Sequence, residues 1–284
     1  CVMVLWAAAA LGDTLAPVGM RRLEFPDRDR RLLLTVFYPA ETTGEADLFT
    51  MPFFVGLELH RDAALRMPAT RHPLVMLSHG RGSNALVYAW FAQYLAARGY
   101  VVAAIDHYRA NSYDSTIAYL ANKLWQRPRD ISLAITFLLS RPDFGPAIDR
   151  DRIGAAGHSQ GGFTALWLGG AEVNPDKYRA FQRGWRENRM VPAHLRRELP
   201  LDPKPALHLR DRRIKAAFAM APGVIQAFGM DEAGLSRMSV PAFLVVGARD
   251  TQTPPGPNAE FAAKHIPHAT LAILPGLADQ DLRQ

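Results

Sequence analysis

One cysteine, Cys1, is all that the 284 residues contain, which leaves no internal disulfide and no cysteine-based zinc site. No apolar run approaches the roughly 18 residues that a membrane-spanning helix needs. Neither sign of charge dominates: 33 Lys and Arg stand against 27 Asp and Glu, a net charge of +6. The basic residues are spread out, apart from a loose run over 179–213, and form no nucleic-acid-binding module, so no nucleic-acid partner is expected. Repeats and low-complexity tracts are absent. Apolar residues, by contrast, make up 49% of the chain, enough for a large core and too many for a disordered protein. This length suits a single α/β domain.

The chain starts at Cys1 rather than Met, which reads as a processed or clipped sequence. Residues 2–11 (VMVLWAAAAL) are apolar, end at the turn-prone Gly12-Asp13, and are too short to span a bilayer. They fit the apolar core of a secretory signal whose basic start is missing. An acylated Cys1 fits less well, because a polar tether normally follows such a residue. The alternative is an ordinary apolar strand or helix docked on the core. Export, to the periplasm or outside the cell, is the favoured reading and a cytoplasmic protein the other. The expected division is an N-terminal apolar segment, 1–17, and one domain, 18–284.

From Val18 onward, two strands, MRRLEF and RLLLTVFYP, flank the charged turn Asp27-Arg28-Asp29-Arg30. A proline-containing stretch expected to be loop-rich follows. Short apolar runs then recur at 73–78 (PLVMLS), 100–105 (YVVAAI), 152–158 (RIGAAGH), 214–221 (IKAAFAMA), 241–247 (PAFLVVG) and 270–274 (TLAIL). Between them lie segments with helical spacing, such as Leu86, Trp90, Phe91, Tyr94 and Leu95 ahead of the stop at Gly99. Continuously apolar strands alternating with helices imply a mostly parallel sheet covered on both faces. Residues 172–213, rich in Arg and Pro and carrying Phe181 and Trp185, break the alternation. They read either as a lid inserted over the strand ends or as a surface loop with no role in binding.

The sequence Gly157-His158-Ser159-Gln160-Gly161-Gly162 matches G-x-S-x-G between an expected strand and an expected helix. A serine at such a turn is held in a strained, exposed position above the sheet, and the helix N-terminus favours developing negative charge. That makes Ser159 the candidate nucleophile. Acyl transfer needs two backbone N–H groups aimed at the oxyanion. Gln160 is expected to supply one, and Arg81, in the loop Ser78-His79-Gly80-Arg81-Gly82-Ser83, the other. His79 and His158 are read as histidines that organise their turns rather than as bases. Asp250, directly after PAFLVVG, is the candidate acid, ahead of Asp231 and of Asp106, which precedes the serine. The base is unassigned. The loop after TLAIL contains no histidine, and His265 and His268 precede that strand, at the far end of the sheet.

These residues together resemble the α/β-hydrolase superfamily, and within it the predicted dienelactone hydrolases related to platelet-activating-factor acetylhydrolases. The resemblance runs from about Val18 to Gly276. It rests on Phe37-Tyr38-Pro39, Ser78-His79-Gly80-x-Gly82, Asp106-His107, Arg127-Pro128-x-Asp130-Ile131, Gly157-His158-Ser159-x-Gly161-Gly162, and Val240-Pro241 through Asp250-Thr251. Arg213 to Ala216 and Ala221-Pro222-Gly223 add to it. The resemblance implies an α/β-hydrolase fold and hydrolysis of a small-molecule or lipid-like carboxylic ester without a cofactor or metal. It makes Ser159 the nucleophile and Asp250 the acid, with Arg81 and Gln160 as oxyanion donors. The acetylhydrolase branch takes its acid from the end of the preceding strand, which here reads Ala221-Pro222. Such proteins carry a histidine a few residues after the Pro-Gly that here is Pro275-Gly276, followed by a closing helix. Its absence leaves two expectations, a sequence cut near Gly276 or a catalytically silent binding protein. Residue 81 is more often apolar in the family. An arginine there either attracts an anionic substrate or turns to solvent.

Overall fold

The computed structural model describes residues 15–41, 46–51, 54–118, 123–187, 193–198, 209–278 and 281. The N-terminal apolar run and Cys1 lie outside the described residues, as do parts of 172–213. The strands are β1 (Val18–Asp27), β2 (Arg30–Pro39), β3 (Asp47–Met51), β4 (Phe54–Arg61), β5 (His72–Ser78), β6 (Val101–Asp106), β7 (Ile148–His158), β8 (Ile214–Met220), β9 (Ala242–Gly247) and β10 (Ala269–Leu274). They form one sheet in the order β10-β9-β8-β7-β5-β6-β2-β1-β4-β3. From β10 to β6 every pairing is parallel. The hairpin β1–β2 then joins antiparallel to β6 through β2.

The parallel half is apolar on both faces because helices cover both. Along β6, Val101, Ala103 and Ile105 face one layer, while Val102 and Ala104 face the other. The first layer contains Ile131, Ile135 and Leu138 of helix α2 (Gln126–Ser140). The second contains Ala89, Ala92 and Ala96 of α1 (Ala89–Ala96). Helix α3 (Gln160–Leu168) is buried along its length, with Phe163, Leu166 and Trp167 in a third cluster. Four further helices follow among the described residues: α4 (Pro175–Glu187), α5 (Ala193–Glu198), α6 (Glu232–Ser236) and α7 (Phe261–His265). No described helix is long and apolar enough to cross a membrane.

Strands β3 and β4 correct the expectation of a loop-rich stretch after Pro39. The prolines of this stretch make it read as non-strand, whereas β3 and β4 pair antiparallel on either side of residues 52 and 53, which lie outside the described residues. β3 is the outermost strand. It shows Leu48 to solvent, whereas Leu59 of β4 is fully buried.

The β1–β2 turn is fastened to α2 by charge. Asp27 accepts from both terminal nitrogens of Arg129, at 2.6 and 2.7 Å, and from Arg30 Nε at 2.9 Å. Hydrogen bonding to Arg129, reinforced by Arg30, holds the Asp27 carboxyl at about 2, below its ordinary 3.8. A depressed folded-state pKa stabilises above the unfolded value and loses that contribution as pH falls through the folded one. Asp27→Asn is therefore expected to cost about 1 kcal/mol at pH 7. The difference from wild type should shrink between pH 4 and pH 2, as read by denaturant unfolding at each pH. A difference that stays constant down to pH 2 would assign the loss to packing instead.

Candidate active site

Strand β7 ends at His158 and α3 begins at Gln160, so Ser159 alone makes the turn. Its φ of 54° and ψ of −118° lie where a residue with a Cβ is strained. Backbone bonds hold it there: Ser159 N–H donates to Met220 O at 2.9 Å, and its carbonyl accepts from Phe163 at 3.1 Å and Gly223 at 3.2 Å. The flanking glycines allow a backbone crossing. A Cβ on Gly161 would stand 1.8 Å from the carbonyl oxygen of Ser78, and one on Gly157 would stand 2.3 Å from Gly161. Helix α3 thus crosses directly over the end of β5.

The strand register brings the other segments to the same edge. Ser78 is level with Gly157 on one side and Ile105 on the other, and Met220 is level with His158. After Ser78 the chain turns through His79-Gly80-Arg81. The Gly80 N–H is engaged by the Tyr88 hydroxyl at 3.3 Å. Arg81 is exposed. His79 is buried and bonded to its own loop: Nδ1 lies 2.6 Å from the Gly80 carbonyl oxygen, and Nε2 accepts from His107 N–H at 3.2 Å. Burial, with Arg127 and His107 nearby, keeps its pKa well below the usual value. His158 is buried with Nδ1 3.1 Å from the Tyr88 hydroxyl.

Asp250 is 4% exposed, and its carboxylate accepts from the N–H groups of Gln252 and Thr253 and from the Thr253 hydroxyl, at 2.7–2.9 Å. Its turn touches two relevant segments. The Thr253 methyl packs so closely on Gly223 that a Cβ there would be 2.0 Å away, and Gly223 is the residue bonded to Ser159 O. On the other side, Ala248 and Arg249 donate to Leu274 and Leu277, so the loop after β10 lies against this turn. Asp231 instead caps α6 through Gly234 N–H at 2.9 Å and pairs with Lys177 at 3.2 Å and Asn174 at 3.0 Å. Asp106 accepts from Ala85 N–H at 2.7 Å, and burial raises its pKa.

The histidines near the chain end stay at the other edge. The His268 carbonyl accepts from Ala242, the first residue of β9, and His265 lies 3.7 Å from Glu232. Residues 275–278 carry no imidazole, and Asp279 and Gln280 lie outside the described residues. No three His, Cys, Asp or Glu side chains gather as a metal site among the described residues. Helix α4, in the inserted stretch, docks on the segment after β8: Tyr178 is fully buried, and Phe181 stands edge-on to Phe228 with centroids 4.7 Å apart.

Sequence reasoning gave no role to a polar network beneath these loops. Ser78 Oγ lies 2.9 Å from His107 Nε2, and His107 Nδ1 lies 3.1 Å from Asp130 Oδ2. Asp130 Oδ1 in turn is paired with Arg30 at 2.7 Å. Burial lifts the Asp130 carboxyl to about 7 against the pull of Arg30, and keeps the His107 pKa well below normal. Arg127 touches Ser78 Oγ at 3.4 Å, Gln160 Oε1 at 3.1 Å and the His79 carbonyl. The available signal was Asp106-His107 and Arg127-Pro128-x-Asp130, charged groups adjoining apolar runs.

Residues 49–133 match the family model of platelet-activating factor acetylhydrolase, isoform II. The acetylhydrolases of Bos taurus and Canis lupus familiaris are each 24% identical, over 241 and 240 residues, in alignments covering 58% of this chain and 54% of theirs. That of Cavia porcellus is 26% identical over 136 residues, covering 34% of this chain and 31% of its own. The chain thus spans about half the length of the first two curated relatives. A ferulic acid esterase from Streptomyces cinnamoneus superposes with a TM-score of 0.59 at 22% identity, covering 91% of this chain and 73% of that one. The chain has the α/β-hydrolase fold and is similar in sequence to the platelet-activating factor acetylhydrolases.

Proposed function

We propose that this protein hydrolyses carboxylic esters through an acyl-enzyme on Ser159. The carrying observation is the positive φ of Ser159 between β7 and α3, tolerated by Gly157 and Gly161. Strain at a polar residue on a strand-to-helix turn is the mark of a nucleophile elbow. Ser159 Oγ attacks the ester carbonyl and gives its proton to a base. The tetrahedral oxyanion accepts from the amides of Gln160 and Arg81, and the alkoxide leaves with the returned proton. Water then attacks the acyl-enzyme, releasing acid and free serine. The Gln160 N–H is in the first turn of α3, where amides have no intrahelical acceptor. Asp250 is the acid, supported by its burial and by the packing of its turn against both Gly223 and the loop after β10. Residues 172–213 act as a lid, a reading supported by the docking of α4 on the segment after β8. The substrate is a small or lipid-like ester.

The assay is reaction with a fluorophosphonate, with the labelled residue located by mass spectrometry, beside turnover of short p-nitrophenyl esters. Label on Ser159 supports the reading, and label elsewhere overturns it. A second reading, a silent binding protein on the same fold, draws on the lack of histidine in residues 275–284. Ester binding without turnover or labelling would favour it.

Asp250→Asn and Asp231→Asn separate the two acids. An amide at position 250 is expected to lower kcat about 10³- to 10⁴-fold, as when a triad histidine loses its orienting carboxylate. Asp231→Asn should leave kcat within a few-fold and instead lower the melting temperature, because it weakens a helix cap and an ion pair. The reverse pattern would move the acid to Asp231.

A further inference from the structure

Helix α2 turns two residues of its first turns inward, Arg127 and Asp130, three apart and therefore on one face. Both are almost fully buried. With Ser78 and His107, Asp130 reproduces the residue types and contact order of a hydrolase triad. Ser78, His107 and Asp130 are each at most 1% exposed, so no ester reaches that serine. The network needs another purpose, and Arg127 supplies it.

The Arg127 guanidinium reaches two backbone segments at once. It donates to the side chain of Gln160, the residue after Ser159, and to the carbonyl of His79, two residues before Arg81. Among the described residues no carboxylate lies within ion-pair distance of it. All its partners are neutral: an amide oxygen, a carbonyl and the Ser78 hydroxyl. Burial lowers its pKa only to about 10, so it is a cation at neutral pH. Asp130 acts on it from a distance but is itself paired with Arg30, and a buried cation without a direct ion-pair partner is costly, a cost that falls when negative charge develops nearby.

We propose that Arg127 is a positioning residue of the oxyanion hole, tying the Gln160 segment to the His79–Arg81 loop so that their amides converge, and offering to the oxyanion a charge held in no direct ion pair. The proposal rests on the serine-hydrolase reading of Ser159. The chain Asp130–His107–Ser78 holds the guanidinium in place. The neutral His107 donates from Nδ1 to Asp130 and accepts the Ser78 proton at Nε2, so a lone pair of Ser78 Oγ is presented to Arg127. Arg30 and Asp27 anchor the far end at the β1–β2 turn. Because the attraction grows as the oxyanion forms, Arg127 acts on the rate of acylation rather than on ground-state binding.

The experiment measures fluorophosphonate acylation, kcat, KM and melting temperature for wild type, Arg127→Met, Arg127→Lys, Gln160→Met and the double variant Arg127→Lys/Gln160→Met. Gln160→Met removes only the side-chain acceptor and leaves the backbone amide. Arg127→Met is expected to slow acylation about a hundredfold with KM within about threefold of wild type. Lysine keeps the charge but lacks the two-nitrogen fork with which Arg127 spans Gln160 and the His79 carbonyl, so it should recover part of the rate. Gln160→Met should slow acylation about tenfold, and the double variant should be little worse than Arg127→Lys, since both cut one tie. Acylation of Arg127→Met within twofold of wild type, or multiplying effects in the double variant, overturns the proposal. If Arg127→Met does not fold, Arg127→Lys and Gln160→Met decide by the same criteria. A wild type that reacts while these variants match it leaves the serine-hydrolase reading standing and removes only this one. A wild type that does not react removes both.

Discussion

Alanine at position 159 is expected to cut hydrolysis of short p-nitrophenyl esters by roughly 10⁴- to 10⁶-fold and to end fluorophosphonate labelling. The loss should come in kcat, because the removed oxygen is the atom that forms the acyl bond. Stability should hardly change. Ser159 is half-buried, and the interactions that fix it are backbone bonds to Met220, Phe163 and Gly223, which alanine keeps. Glycine at the same position gives a sharper control. With no Cβ it relieves the strain of a φ of 54°, so Ser159→Gly is expected to be more stable than wild type by about 1 kcal/mol while being as inactive as the alanine variant. A Ser159→Ala protein that retains more than about one part in a thousand of wild-type turnover would remove Ser159 from the mechanism. A Ser159→Gly protein less stable than wild type would mean that the turn is not strained.

The parts of the fold that could be read from residues alone are those whose cause is local. β6 reads as VVAAI because helices cover both faces of the sheet there, and the same cause produces β5, β8 and β9. The elbow was legible because the backbone crossing demands glycines at fixed distances from Ser159. β3 and β4 were not, since Pro52 and the exposed Leu48 give a sheet margin the look of a loop. The polar network was hidden for another reason. Arg30, Ser78 and Arg127 lie on β2, β5 and α2 and His107 directly follows β6, and nothing in their neighbours announces that these segments meet at one point. His107 shows the same limit: it follows an apolar strand directly, and only the assembled sheet sets it between Ser78 and Asp130. Residues 275–278, which lie against the Asp250 turn, contain no histidine, and the proposed mechanism expects the base in that loop.

Gly161→Ala is the second large effect, and two opposing terms set its sign. Gly161 lies in helix α3 with an ordinary helical φ, where alanine is favoured over glycine by about 1 kcal/mol when nothing else intervenes. Against that stands the end of β5: a Cβ would sit 1.8 Å from the Ser78 oxygen, 2.6 Å from its carbon and 3.0 Å from the His79 oxygen. These are backbone atoms of a strand paired on both sides, and they cannot rotate away as a side chain would. To fit, α3 must lift off β5, separating Ser159 and Gln160 from the His79–Arg81 loop. The clash should therefore outweigh the propensity gain and leave a net loss of about 3 kcal/mol or more. Gly162→Ala makes the comparison internal to the same helix. Its Cβ would meet Pro222 at 3.1–3.2 Å, a crowding of a few tenths of an ångström that a small shift relieves. That variant should fall within about 1 kcal/mol of wild type. Denaturant midpoints for the pair, with the rate of fluorophosphonate labelling, measure both consequences. If Gly161→Ala matches Gly162→Ala in stability and labels at the wild-type rate, α3 does not cross β5 as closely as the structure places it, and the elbow geometry on which Ser159 depends is wrong.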